Sequence, residues 1–317
     1  MIRKFIPFAA ACIAFMALGS CQKFEGGQSV PAYIHIEALS LDCDYSDYGA
    51  NTHNFIDAWV AVDEQTIGCF ELPSTFPVLK KGKHKVSIRP GIAVNGIGAA
   101  RSYYPFCKPA DYLNLELVED SIITLNPVIN YFPIGAGFNM AWKEDFESAI
   151  GLSPTSESDT SIMRVNDAQA WHSENSFYSG RIVLPPDSLD FTVATSEELT
   201  FHTELTGDGS AMLEMDYNTN DTMFVGLMYY KNYKTEKLPL VKVLPTDKEH
   251  GMPQKWKKIY INLGHVMKEE NDASYFKVYF TSDLTTDYDI DAGYVYHPNN
   301  EQRYYYLDNL KVIYRPR

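Results

Sequence analysis

The chain has 317 residues, 27 basic and 41 acidic, for a net charge of −14 at pH 7. Such a surplus of acid argues against a nucleic-acid partner, because phosphate binding runs on Lys and Arg releasing counterions; it favours solubility and contacts with cations. The length exceeds that of one usual domain, so two are expected.

The chain opens with Arg3 and Lys4, continues without charge from Phe5 to Leu18, and reaches the small residues Gly19 and Ser20. This is a signal-peptide layout, and the run is shorter than the roughly 20 apolar residues of a membrane-spanning helix. Leu18-Gly19-Ser20-Cys21 resembles the lipobox of bacterial lipoproteins, where small residues admit the peptidase ahead of a cysteine already carrying diacylglycerol. The resemblance implies that residues 1–20 are a lipoprotein signal peptide and that Cys21 is the lipidated first residue of the mature chain. Acyl chains contribute about 0.8 kcal/mol per buried CH₂, which suffices for a lasting anchor. Residues 21–31 then read as a lipidated tether, polar and containing Gly26 and Gly27. Its Glu25 resembles the acidic tethers of Bacteroidota surface lipoproteins, which implies an outer-membrane protein at the cell surface or on the periplasmic face.

Beyond the tether the apolar pattern has a period near two, with Tyr, Phe, Val, Ile and Thr in short runs between turn residues, and the expected fold class is all-β. Residues 32–130 form the expected N-terminal β-sandwich, with strands in "YIHIEAL", "FIDAWVAV", "TIGCFEL", "HKVSIR", "LNLEL" and "SIITL" and a hairpin turn at Asp63-Glu64-Gln65. The run 58–91, with its strand, turn, Leu72-Pro73, Gly82-Lys83-His84 and closing strand, resembles PEGA-type and related Ig-like surface modules. That implies a spacer or docking domain, with His84 on a strand surface. Gly91, Gly96 and Gly98 do not give a dinucleotide fingerprint, and no helical pattern follows them.

Pro133 and the glycines of "YFPIGAGFNM" interrupt the pattern, marking residues 131–138 as a linker. Residues 139–317 open with "NMAWKEDFES" and close with "RYYYLDNLKVIY", with "SFYSGRI", "SAMLEMDY" and "WKKIYINL" between. This order resembles the jelly-roll modules of the carbohydrate-binding, galactose-binding-like superfamily, which implies that the first and last strands lie side by side. "NLGHVMKEE" is expected to form a short helix.

Catalytic signatures are missing from the sequence: there is no G-x-S-x-G elbow, no H-E-x-x-H and no phosphate loop, so no catalytic residue is nominated. Cys43, Cys69 and Cys107 remain after the leader and the lipidated Cys21, so at most one intramolecular disulfide can form; Cys69, in phase with Ile67, reads equally as a small buried hydrophobe. Asp287, Asp289 and Asp291 begin a D-x-D-x-D pattern, but Ala292 and Pro298 replace the glycine and the terminal Glu of a calcium loop, leaving a solvated acidic loop. In the last strand Tyr306, Asp308, Leu310, Val312 and Tyr314 share one phase, which places Asp308 among apolar groups and in need of a partner. The jelly-roll resemblance implies a structural Ca²⁺ held by Glu147 and Asp308; Asn309 or backbone N–H groups are the alternative partners.

A tethered pair of β-domains without catalytic motifs reads as a binder, with polysaccharide as the ligand of the jelly roll. The candidate ligand-binding rings are Trp171 in "QAWHSENS", Tyr229, Tyr230 and Tyr233 in "LMYYKNYK", and Tyr294 and Tyr296 beside the acidic loop. Trp142 and Trp256 are expected in the core. The alternative is a structural lipoprotein whose rings contact outer-membrane proteins, and a glycosidase, which needs two carboxylates at a fixed separation, ranks third. Cys21→Ser is expected to abolish lipidation and release the protein from the membrane fraction. Metabolic labelling with a palmitate analogue checks this, and label retained by the variant rules the lipobox out.

Overall fold

The computed structural model describes residues 30–185, 190–205, 207, 209–246, 255–282 and 302–316. The leader, Cys21, Asp287, Asp289, Asp291, Tyr294 and Tyr296 lie outside the described residues. Among those described, no helix is long and apolar enough to cross a membrane.

The N-terminal unit consists of β1 (Ala32–Ile36), β2 (Ser40–Leu41), β3 (Asp57–Val62), β4 (Gln65–Glu71), β5 (Ser74–Val78), β6 (Gly82–Ala93), β7 (Arg101–Tyr103), β8 (Ala110–Leu117), β9 (Ile122–Leu125) and β10 (Val128–Ile129). One sheet has the order β5-β1-β9 and the other β4-β3-β6-β7, with β8 also paired to β6 and a small β10-β2 pair beside them. Period-two alternation builds the core between the sheets: Ile34 and Ile36 of β1, Val60 and Val62 of β3, and Val86 and Ile88 of β6 are all buried. Asp63 and Glu64 form the β3–β4 turn, both at positive φ (49° and 68°), the backbone that a two-residue type I′ hairpin requires. Cys69 departs from its expected burial: its thiol is free and exposed, whereas Cys107 is buried.

The C-terminal unit consists of β11 (Asn139–Glu144), β12 (Leu152–Pro154), β13 (Met163–Val165), β14 (Ser179–Leu184), β15 (Thr192–Thr195), β16 (Ala211–Thr219), β17 (Met223–Lys231), β18 (Lys234–Val243), β19 (Lys257–Asn262), β20 (Tyr275–Ser282) and β21 (Arg303–Tyr314), with a short helix at Gly264–Glu269. Two sheets face each other, β13-β14-β21-β16-β19 with β11 also on β21, and β12-β15-β20-β17-β18. The first and last strands are antiparallel neighbours, with Trp142 opposite Val312, as the jelly-roll resemblance implied. Trp142, Ile182, Leu213, Ile261, Leu307 and Val312 supply the inner face of the larger sheet, against Val193, Val225, Leu227, Val278 and Phe280 of the other.

A bulge changes the phase of β21. Asn309 takes φ 49°, and the pairing with β16 shifts so that Glu214 faces Lys311 while Asp216 faces Asp308. Asp308 therefore does not share a face with Leu310 and Val312, as strict alternation predicts. It belongs with Tyr306, Lys311 and Ile313 on the outer face.

That outer face is covered by the N-terminal unit. Met212, Tyr260 and Ile313 belong to the same buried cluster as Ile34, Val60, Phe106 and Phe138, so the two units share apolar core. The 131–138 segment is part of this packing: Tyr131 and Phe138 are buried, and Tyr131 stacks on Tyr48. At the centre Glu214 is 0 % exposed. Its Oε2 lies 3.3 Å from Lys258 Nζ and 3.8 Å from Lys311 Nζ, and its Oε1 accepts the hydroxyls of Tyr104 (2.6 Å) and Tyr131 (2.7 Å) from the N-terminal unit. Burial would raise the Glu214 pKa, yet Lys311, Lys258 and the two tyrosine hydroxyls bring it down to about 2. Burial pushes the Lys311 ammonium down, whereas Asp216 and Glu214 more than offset burial at Lys258 and raise it.

Removing one partner of a buried ionic network leaves an uncompensated charge, at a cost of about 3–5 kcal/mol. Lys311→Met is expected to lose that much in urea denaturation at pH 7. Adding Glu214→Gln should recover part of the loss, because Asp216 and Lys258 then balance each other. Strictly additive losses in this cycle rule out the coupling.

Candidate functional site

The N-terminal unit leaves one end of the jelly-roll outer face open. Along β21 and its neighbours the positions on this face beyond Asp308 are Tyr306, whose ring is itself buried, the half-buried Arg181, which pairs directly with it on β14, and Trp256, just before β19. Trp256 is half-buried rather than in the core, because it precedes the strand on the outward side that Lys258 and Tyr260 continue. Its ring lies edge-on to Trp171 (centroids 6.0 Å) and to Tyr306 (6.4 Å), and its indole N–H donates to the Gln169 carbonyl at 2.9 Å.

The three rings are held by polar groups around them. Asp167 Oδ2 accepts Arg181 at 2.8 Å and the Tyr306 hydroxyl at 3.0 Å. The Trp171 backbone N–H donates to Ser179 Oγ (2.8 Å), whose hydroxyl donates to Asp308 Oδ2 (2.7 Å). Trp171 is half-buried, and its indole N–H is out of solvent without a hydrogen-bond partner.

Two crevices open beside this group, at the junction of the units. The first, about 540 Å³, is lined by His53 and Asn54 from one unit and by Tyr217, Trp256, Lys257 and Lys258 from the other. The second, about 550 Å³, lies between the Cys43–Tyr45 and Gly49–Asn51 stretches and Ser173, Glu174 and Asn175 of the Trp171 loop. Both fall within the roughly 300–1,000 Å³ of small-ligand sites, which favour domain junctions. The wall residues are fixed: the Asn54 backbone N–H donates to the Tyr260 hydroxyl (3.0 Å) and its side-chain amide to the Lys258 carbonyl (3.1 Å).

The sequence-nominated rings do not converge. Tyr229, Tyr230 and Tyr233 belong to the β17–β18 hairpin of the other sheet, away from Trp171. Tyr229 packs on Phe276 and Tyr230 stacks on Tyr275, while Tyr233 sits at the turn, 93 % exposed. Among the described residues that were nominated, only Trp171 borders the crevice group, and its neighbours Trp256, Tyr306, Arg181 and Asp167 were not nominated; Tyr294 and Tyr296 lie outside the described residues. A signal for Trp256 was present in the polar run "QKWKK" around it.

Glu147 and Asp308, the pair that the resemblance assigns to calcium, are engaged otherwise. Glu147 Oε1 accepts the backbone N–H groups of Phe177 (2.6 Å) and Tyr178 (2.8 Å). Asp308 takes the Ser179 hydroxyl and the Asn309 N–H, the alternative partner foreseen. Among the described residues no three His, Cys, Asp or Glu side chains come together to hold a metal. This donor set does not fit a calcium ion, and no role is derived through one.

No family model matches the chain, and no curated protein matches its sequence. Among solved structures the chain is similar to the CBM22-1 and GH10 modules of the Clostridium thermocellum endo-1,4-β-D-xylanase 10B complexed with xylohexaose, at 11 % identity and TM-score 0.36, covering 56 % of this chain and 28 % of that one. It is similar to the CBM22-2 xylan-binding domain of a Paenibacillus barcinonensis protein, at 13 % identity and TM-score 0.34, covering 55 % and 99 %. A family 11 carbohydrate-binding module of a Clostridium thermocellum cellulosomal cellulase gives 13 % identity and TM-score 0.34, covering 56 % and 95 %. Likeness at this level transfers neither residue roles nor ligands.

Asp308 gives the site a pH signature. Burial, opposed by the hydrogen bonds from Ser179 and Asn309, raises its pKa to about 8. The folded protein therefore holds a proton that the unfolded chain releases near pH 4, so stability falls as pH rises between these values. Asp308→Asn is expected to flatten the decline between pH 5 and pH 8 by about 3–5 kcal/mol. Urea melts of both proteins at the two pH values check it, and equal slopes rule it out.

Proposed function

We propose that this protein is a lipid-anchored, non-catalytic glycan-binding protein of the outer membrane, and that it takes its ligand at the junction crevice rather than on the β17–β18 hairpin. The observation that carries the reading is the pair of half-buried indoles Trp171 and Trp256, packed against the buried ring of Tyr306 beside the Asp167–Arg181 pair, with Trp256 lining an open polar crevice. A pyranose presents an apolar C–H face and a rim of hydroxyls. Indole rings suit the first, and His53, Asn54, Lys257 and the Asp167–Arg181 pair suit the second. The Trp256 ring is held by the Gln169 carbonyl and the Trp171 backbone by Ser179 before any ligand arrives, which lowers the ordering cost of binding.

The anchor belongs to the same reading. Cys21 at a lipobox-like site would hold the binding unit at the membrane, where retention of a polymeric glycan is useful even at modest affinity.

Glycan arrays and affinity gels containing plant and host polysaccharides are expected to reveal retention that Trp256→Ala weakens at least about tenfold, as expected for losing a well-packed aromatic anchor. Trp171→Ala should act in the same direction. The far-side variant Tyr233→Ala should bind as the parent does. Absence of glycan binding, together with a membrane protein that co-purifies stably, assigns the face to protein assembly instead.

A further inference from the structure

The N-terminal unit carries a second groove, about 510 Å³, on the outer face of the β4-β3-β6-β7 sheet. While Val60, Val62, Val86 and Ile88 point into the core, the alternate positions Trp59 and Ala61 of β3 and Lys85, Ser87 and Arg89 of β6 point outward. Trp59 lies opposite Arg89, and Ala61 opposite Ser87. Ala61 has only a methyl group, so the floor stays low between taller walls.

One end of the groove is aromatic and cationic. The rings of Trp59 and Tyr103 meet edge-on with centroids 6.2 Å apart, and the Arg89 guanidinium lies over the Tyr103 ring at 5.3 Å. Gly91 makes room for the indole: a Cβ there would fall 2.6 Å from Asp57 Cβ and 3.0 Å from the Trp59 ring. The indole N–H is out of solvent without a hydrogen-bond partner. Farther along, Ser87 donates to Asp111 (2.6 Å), which Lys85 approaches at 3.5 Å. Thr66 and Glu64 close the far end.

The charges separate by function. Asp111 and Lys85 answer each other, whereas Arg89 is exposed, lies over the face of Tyr103 and, among the described residues, forms no ion pair or side-chain hydrogen bond. A guanidinium over the face of a ring makes no hydrogen bond to it, which leaves its N–H fork free for a planar anion.

We infer that this groove is a separate binding site for an anionic sugar ring, a uronate or a sulfated saccharide. The pyranose face lies on Trp59 and Tyr103, its carboxylate or sulfate is taken by Arg89, and its hydroxyls reach Ser87, Lys85 and Thr66. The site shares no residue with the junction crevice, so either can fail without the other.

Native gels of the full chain containing polygalacturonate, dextran sulfate or a neutral cellulose derivative test the assignment. The parent is expected to be retarded by one or both anionic polymers, and the comparison between those two gels identifies the anion. Arg89→Met, at an exposed position, should weaken retardation about tenfold or more, as expected for a charge-assisted contact. Trp59→Ala should do likewise, by removing the indole while leaving Arg89 in place. The Trp171→Ala/Trp256→Ala double variant should keep it. No retardation of the parent by either anionic polymer overturns the inference, as does equal retardation of the parent and Arg89→Met, or retardation lost with the crevice variant and kept in Trp59→Ala.

Discussion

Glu214 faces two lysines and two tyrosines in the absence of water, and the arrangement of the whole molecule follows from satisfying it. Moving a carboxylate and two ammonium groups out of water costs several kcal/mol per ion. The attraction between them offsets this only when every member is in place. Two of the required donors, Tyr104 and Tyr131, come from the N-terminal unit, and Lys311 also donates to the Ala50 carbonyl of that unit. The jelly-roll face cannot be satisfied alone, and the N-terminal unit has one seating that satisfies it. Apolar contacts of Met212, Tyr260 and Ile313 supply adhesion; the ionic network supplies register.

Charge balance extends the same constraint toward the crevices. Lys258 and Lys311 offset Glu214 and Asp216, so a third carboxylate on this face has no cation left. Asp308, directly across from Asp216, has its pKa pushed up chiefly by burial, to which the charge of Asp216 adds. Through Ser179 it is linked to the backbone of Trp171, and Lys258 reaches Thr52, whose hydroxyl donates to Asp216. The loop that walls the first crevice and the loop that carries the ring group thus end on the same buried network. Crevice geometry is a consequence of how the charges between the units are settled, which accounts for rigid rings at a junction where relative motion would otherwise be the default.

The strands were legible where their alternation is regular: "FIDAWVAV" and "HKVSIR" form the strands their period of two requires, and "RYYYLDNLKVIY" forms a strand whose alternation holds only up to the bulge at Asn309. The pairing of first and last jelly-roll strands was legible through resemblance. The interface was not. Glu214, Asp216, Lys258 and Lys311 occupy alternate polar positions, the same pattern a solvated sheet face produces, and nothing local distinguishes water from a second domain as the covering. Asp308 was placed on the wrong face because the bulge at Asn309 shifts the phase by one residue, and Asn is only a weak indicator of positive φ. Trp256 was assigned to the core from its type alone, although the lysines around it mark an outward-facing strand start.

Covering one sheet face also decides where ligands can lie. A jelly roll standing alone offers a long outer face on its larger sheet; here much of that face is interior, and among the described residues the end near Trp171 and Trp256 stays partly open. The N-terminal unit, by burying its own inner residues against the same core, turns the outer face of its β4-β3-β6-β7 sheet to solvent, with Trp59, Arg89 and Tyr103 on it. The two candidate surfaces differ in charge character: a balanced acid–base pair beside the crevice, and on the groove a guanidinium without an ion pair among the described residues. A rigid junction holds the two surfaces at a fixed separation. A polymeric ligand able to reach both would bind with an effective concentration set by that geometry, and one too short to span them would be held by one site alone.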